Sequence, residues 1–150
     1  MFLKNHDVRY NCTIIDLYDR SVVASITDRH ITSDLAIRTL QKALESQTAI
    51  NGELILHSDQ GTQYTSKANI EFCESVNITQ SMSKAGYPYD NVPMERYFNT
   101  LKNEGTNLYE FEREDALYQK VEEFAYVDYN HVRPHSFNGY RTPYETRMAA

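Results

Sequence analysis

Glu53-Leu-Ile-Leu-His-Ser-Asp-Gln-Gly61 (ELILHSDQG) decides how this chain is read. Glu53 to Ser58 reads as a short, apolar, buried strand, and Gly61 with its polar neighbours as the loop that follows it. Asp59 therefore stands at the carboxyl end of a strand, where open α/β sheets gather their sites. His57 lies two residues earlier, on the same face of the strand. Downstream, Asp90-Asn-Val-Pro-Met-Glu95 takes a loop into a helix, and Pro93 suits the first turn, where a missing N–H costs nothing. Residues 60–94, 35 in number, separate Asp59 from Glu95.

Outward from that centre, the chain alternates strands and helices. Val8 to Leu17 reads as a strand, Asp16 to Ser21 as a turn, and Val22 to Thr27 as a second strand paired back on the first. Thr32 or Ser33 caps a helix that carries Ala36, Leu40, Ala43 and Leu44 to about Ser46. Ser66 caps a helix with Ile70, Phe72, Cys73 and Val76, and Ile78 to Ser81 forms a strand. Residues 83–92 read as a loop, and a helix from Met94 to about Glu104 follows. Phe111 to Asn130 reads as one longer helix with Ala116, Val121, Phe124 and Ala125 on its apolar stripe. Thr142-Pro-Tyr-Glu145 fits a capping box that opens a last short helix. The order β-β-α-β-α-β-α-α-α indicates one α/β domain with a mixed sheet flanked by helices.

Asp59 and Glu95 are the candidate catalytic and metal-binding residues. Transfer at a phosphodiester builds charge on the attacking and leaving oxygens, and two divalent ions about 4 Å apart stabilise both. Mg²⁺ takes hard oxygen ligands and keeps several waters, so a few carboxylates suffice. One from a rigid strand end and one from a helix project into the same space. His57 is a candidate support for Asp59. Bland readings stand beside each of these. Asp59 caps its loop, Glu95 complements the helix dipole, and His57 makes an ordinary hydrogen bond. Asp90 and Asn91 read as turn and capping residues that position the helix of Glu95.

Composition bounds the class. The chain has 150 residues, 41% hydrophobic and 24% charged, which suits one globular domain. No run of about 18 apolar residues exists to span a membrane, and no signal peptide is visible. Cys12 and Cys73 lack metal spacing and read as reduced thiols of a cytoplasmic protein. The net charge of −6 runs against nucleic-acid binding, which usually needs a basic surface. A carboxylate metal site accounts for part of that deficit, and division of labour with a separate DNA-binding segment for another.

Three segments together carry a resemblance: HSDQGTQYTS (57–66), DNVPMERYFNTLKNE (90–104) and YNHVRPHSFNGYRTPYE (129–145). In this order and with the 35-residue gap, they resemble the integrase core of bacterial insertion-sequence transposases, relatives of retroviral integrase with the D-D-35-E motif. The resemblance covers almost the whole chain. It implies a ribonuclease-H-like fold, Mg²⁺ or Mn²⁺ as cofactor, and nicking at transposon ends followed by attack of the freed 3′-hydroxyl on target DNA. It matches Asp59 and Glu95 to the family's second and third carboxylates. It matches Lys102, seven residues after Glu95 on the same helix face, to a phosphate-holding cation. Lys84, Tyr87 and Arg96 are further DNA-binding candidates around Glu95, and Asn91 a supporting one. It also implies DNA as partner, a homo-oligomer, and association with the bacterial nucleoid.

The pattern departs at the start. The family's first aspartate precedes a hairpin that here falls at Asn5-His-Asp7, and only Phe2 to Lys4 match the tail of the first strand. The expectation is a core with its first strand largely missing, no first aspartate, no upstream DNA-binding domain and little or no activity by itself. Asp7, in the hairpin turn, and Asp16, in a structural segment, are poor replacements. The rival reading is a non-catalytic remnant that binds DNA or oligomerises. A ribonuclease-H-type RNA nuclease fits the fold but not DNVPMERYF or RPHS. Arg133-Pro-His135 either grips DNA or locks the long helix to the core, with the structural role favoured. Most of the 12 tyrosines read as packing residues; Tyr87 and Tyr89 are the candidates for contact with a DNA end.

Overall fold

The computed structural model describes residues 1–47, 52–84 and 91–150. Strands β1 (Tyr10–Ile15) and β2 (Val22–Asp28) pair antiparallel, with an irregularity at Ile14/Ile15. Strands β3 (Leu54–Ser58) and β4 (Ile78–Met82) pair parallel, with His57 opposite Ser81. Helix α1 (Ser33–Ser46) connects the two pairs, and the one-turn α2 (Thr62–Thr65) and α3 (Lys67–Ser75) lie between β3 and β4. Then come α4 (Val92–Glu104), α5 (Glu114–Glu123), a π-helical segment over Phe124–Val132 and α6 (Pro143–Met148). The strands thus include both senses of pairing, with helices around them, as the sequence predicts. Among the described residues no strand joins the two pairs into one sheet.

Local chemistry starts the helices where the sequence places them. Thr32 Oγ1 accepts the Leu35 N–H at 3.2 Å, Ser66 Oγ the Asn69 N–H at 3.2 Å, and Thr142 Oγ1 the Glu145 N–H at 3.1 Å. Each satisfies one of the N–H groups that a helix start leaves orphaned.

The core lies in two layers on opposite faces of β1. One gathers Tyr97 and Leu101 of α4, Leu117 and Val121 of α5, and Phe124 and Tyr129 of the π segment, with Ile15 against them. The other packs Leu40, Cys73 and Ile78 together with Ile14 and Leu56. Cys12 and Cys73 are buried free thiols.

The N-terminal hairpin is present. Phe2 bridges Val8, the Met1 amino group and the Arg9 carbonyl are 3.2 Å apart, and the Arg9 N–H donates to the Met1 carbonyl at 2.8 Å. The turn carries His6 at φ 69°, and Asp7 stays in it. Asp16 pairs with Arg147 at 2.9 Å, a structural contact that ties the β1–β2 turn to α6.

Three expectations are corrected. ELILHS is a strand but not a buried one: Ile55 is 70% exposed and Leu54 36%. Among the described residues its only strand neighbour is β4. The long helix begins at Glu114 rather than Phe111, whose carbonyl instead accepts the Lys4 N–H. Its stripe uses buried Leu117 where Ala116 is predicted, and Ala116 is exposed. From Phe124 the turn widens, so residues five apart, Phe124 and Tyr129, share the buried face. Finally, the loop after Asp59 contains the helical turn α2, a short feature that propensity alone does not reveal.

Candidate active site

Asp59 follows β3 directly and is exposed. Its Oδ1 accepts the Gly61 N–H at 2.8 Å, so the loop-capping reading is realised. Its Oδ2 forms no hydrogen bond with a described residue. A Cβ on Gly61 would stand 2.9 Å from Oδ1 and closer still to the Gln63 amide, so an alanine there would push these side-chain ends aside. Behind this corner, His57 is held at both ring nitrogens, Nδ1 to Ser81 Oγ at 3.0 Å and Nε2 to Ser83 Oγ at 2.9 Å. The Gln60 side chain donates to the Ser83 carbonyl at 3.0 Å. These bonds fix the end of β3 to the end of β4. Burial pushes the Tyr64 phenol of α2 up, Cys12 adds to it, and the negative charge of Asp59 adds further, so Tyr64 stays a neutral neighbour.

Glu95 stands exposed in the first turn of α4, with Pro93 beside it at the helix start. Its carboxylate makes no hydrogen bond or ion pair with a described residue. Asn91 occupies the N-cap position, yet its side chain makes no capping bond. Arg96 and Lys102 are exposed on the same helix, and Lys102 lies close enough to the Met1 amino group to help lower its pKa, after burial. Lys84 is exposed at the edge of the described residues. Tyr87, Tyr89 and Asp90 lie outside them. Among the described residues, no three His, Cys, Asp or Glu side chains gather as a metal site. Arg133 makes a two-pronged pair with Glu104, at 2.7 and 3.2 Å, locking the π segment to the end of α4. That is the structural role favoured from the sequence.

Asp59 on a strand corner and Glu95 on a helix each keep carboxylate oxygens without a described protein partner, the hard-oxygen chemistry that Mg²⁺ takes. Comparison with known proteins gives the context. The integrase core domain pattern matches residues 2–88, and a second integrase core pattern matches 76–143. The chain belongs to the integrase core domain family.

Several relatives of this integrase core come from insertion elements. It is 36% identical over 134 residues to the IS600 uncharacterized 31 kDa protein of Shigella sonnei, covering 89% of this chain and 49% of that protein. The transposase for insertion sequence element IS904 of Lactococcus lactis is 33% identical, with 89% and 53% covered. Transposase InsF for insertion sequence IS3A of Escherichia coli K12 is 32% identical, with 89% and 46% covered. The chain thus spans about half the length of the curated relatives it matches. The catalytic core of bovine immunodeficiency virus (BIV) integrase matches with TM-score 0.71 over 99% of this chain and 90% of that one, at 18% identity. An HTLV-2 integrase core in complex with magnesium matches with TM-score 0.63 over 93% and 90%, also at 18% identity. The fold is therefore the ribonuclease-H-like α/β fold of retroviral integrase cores. No helix among the described residues is long and apolar enough to cross a membrane.

Sequence reasoning missed Arg20 and Phe137, which with His135 line a pocket against the start of α4 together with Arg96. Arg20 and Arg96 lie far in sequence from His135 and Phe137, and no spacing rule ties the four together. Of them the sequence singles out only Arg96, beside Glu95, and His135, within Arg133-Pro-His135, as residues that could contact DNA.

Proposed function

We propose that this integrase core serves an insertion-sequence transposase, cutting and rejoining DNA phosphodiesters, with Asp59 and Glu95 as two of its metal-binding carboxylates. The observation that carries the reading is the pair itself. Asp59 Oδ2 and both oxygens of Glu95 are left without protein partners among the described residues, at the strand end and helix start that the 35-residue spacing marks. Mg²⁺ or Mn²⁺, when bound, would supply positive charge for the attacking and leaving oxygens. His57 and Gly61 orient Asp59; Asn91 and Pro93 set the start of the helix that presents Glu95. Lys102, Arg96 and Lys84 meet DNA phosphates, and Tyr87 the DNA end. Residues 1–150 act as one core, in the cytoplasm and on the nucleoid when bound, with transposon ends and target DNA as partners and further copies of the chain as assembly mates.

A second reading, a non-catalytic DNA-binding or oligomerising module, is favoured by one observation: no third ligand joins the pair among the described residues. The two readings part on metal. In calorimetric titration with Mn²⁺, the first expects binding that raises the melting temperature and is lost in both Asp59→Asn and Glu95→Gln. These 150 residues are expected to nick DNA little or not at all. A Mn²⁺ response unchanged in both variants sinks the metal reading in favour of the second.

A further inference from the structure

Beside the start of α4 lies a pocket of about 260 Å³ that the carboxylate pair does not use. Pockets for whole small molecules begin near ~300 Å³, so this one suits a single unit of a larger ligand. Arg20, Arg96 and His135 supply its polar walls, and Ile15, Pro93 and Phe137 its apolar ones.

Its charge is uncompensated. Arg9, Arg29, Arg38, Arg113, Arg133 and Arg147 all pair with carboxylates. Arg20 and Arg96 have no such partner among the described residues. Arg20 is also placed for recognition. Its guanidinium carbon stands 3.9 Å over the Phe137 ring centroid. Lying on the ring, the guanidinium keeps its in-plane N–H fork available, and that fork matches phosphate oxygens. The turn beneath it is fixed: the Arg20 N–H donates to the Asp16 carbonyl at 2.8 Å, and Arg147 clamps Asp16 and Asp19. His135 adds a third donor. Its Nδ1 accepts the Phe137 N–H at 3.2 Å, so in the neutral ring Nε2 carries the proton. Burial first, then Arg133, Arg20 and Arg96, lowers the His135 pKa and keeps the ring neutral. Donors from three separate segments suit a tetrahedral phosphate better than a planar carboxylate, which one arginine fork alone can satisfy.

We propose that this pocket is a phosphate subsite, in which Arg20, Arg96 and His135 Nε2 seat one backbone phosphate of a nucleic-acid strand while Phe137 orients Arg20. It rests on the proposed function only for the choice of nucleic acid as the source of the phosphate.

The test uses the 150-residue chain in EDTA, so that no divalent metal takes part. A short single-stranded oligothymidylate and thymidine 5′-monophosphate are titrated in parallel. Arg20→Gln and Phe137→Ala should each weaken strand binding about tenfold, the scale of a lost charge-assisted bond. Lys120→Gln, which removes a charge on α5 outside the pocket, should change it by less than about twofold. Arg20→Lys should not restore affinity, because an ammonium offers neither fork nor stack. Equal losses in Arg20→Gln and Lys120→Gln would mean diffuse attraction and overturn the subsite. Acetate competing as well as inorganic phosphate would make it a carboxylate site for a protein partner. The monophosphate binding as tightly as the strand would overturn the strand assignment. Melting temperatures of the variants confirm folding; Phe137 is 58% exposed, so its truncation leaves the core intact. Because the titrations run in EDTA, failure here speaks only to this subsite, while the Mn²⁺ titration speaks only to the metal site.

Discussion

The two strand pairs treat their edges in opposite ways. The outer edge of β2 is closed by side chains. The Val22 N–H donates to Asn130 Oδ1 at 2.8 Å, Asn130 Nδ2 returns a bond to the Val22 carbonyl at 3.0 Å, and the Ser25 N–H donates to the Tyr126 hydroxyl at 2.8 Å. The π segment Phe124–Val132 thus acts toward β2 as a neighbouring strand would. β3 has β4 on one side and no described strand on the other, and Ile55 points into solvent. Around the antiparallel pair sits the larger core and most of the ion pairs; around the parallel pair sits Asp59, on a corner held chiefly by polar bonds. The candidate carboxylates straddle that division. Glu95 rides on α4, whose Tyr97 and Leu101 anchor the larger core. Asp59 stands on the sparsely packed corner, and functional groups are often drawn from such less stable parts of a fold.

The comparison can be broken most forcefully at Tyr97, which is fully buried where α4 meets Phe124 and Tyr129. Tyr97→Ala should cost about 3–5 kcal/mol in denaturant unfolding, as large-to-small aromatic changes in cores do. A loss below about 1 kcal/mol would show that the antiparallel half is not the stable one. Next is the sealed edge. Asn130→Ala removes both bonds to Val22 and should cost about 1–3 kcal/mol, with faster amide exchange at Val22.

Acid should act on the same half. Arg29, against some burial and with help from Arg9, holds Glu114 down to about 2. The Arg29 N–H and Arg38 hold Asp28 below its usual value. Burial pushes Asp19 up, but Arg147 and Ser21 outweigh it and leave it lowered. Carboxylates with depressed folded pKa values stabilise above their unfolded pKa, and that contribution is lost as pH falls through the folded value. Amide signals of β1 and β2 should therefore lose protection between about pH 4.5 and 2, before those of β3 and β4. The reverse order would contradict the assignment.

The smallest effects belong to the parallel pair. Gly61→Ala should lower stability by under about 1 kcal/mol, yet weaken Mn²⁺ binding, because the new methyl crowds Asp59. Ile55→Thr should stay within about 0.5 kcal/mol of the parent in thermal melts. A larger loss would mean that the β3 face is covered in solution.

The sequence made some features plain and hid others for physical reasons. Thr32, Ser66 and Thr142 were legible as caps because a cap is satisfied within three residues of itself. The placement of Asp59 at a strand end and Glu95 at a helix start was legible because both follow from local sequence and spacing along the chain. Burial of ELILHS was misread because apolar content states what a strand can bury, not what packs on it. The wider turn at Phe124 escaped because no local residue forces it; side-chain bonds from Tyr126 and Asn130 to β2 go with it.

The sequence by itself determined the α/β order, the helix starts and the family, all set by short-range chemistry and spacing. Only the tertiary structure decided that Ile55 of β3 faces solvent, that side chains seal β2, and that Arg20, Arg96 and His135 meet in one pocket. Those outcomes depend on contacts between segments tens of residues apart, and no local preference encodes which distant surface a side chain will meet.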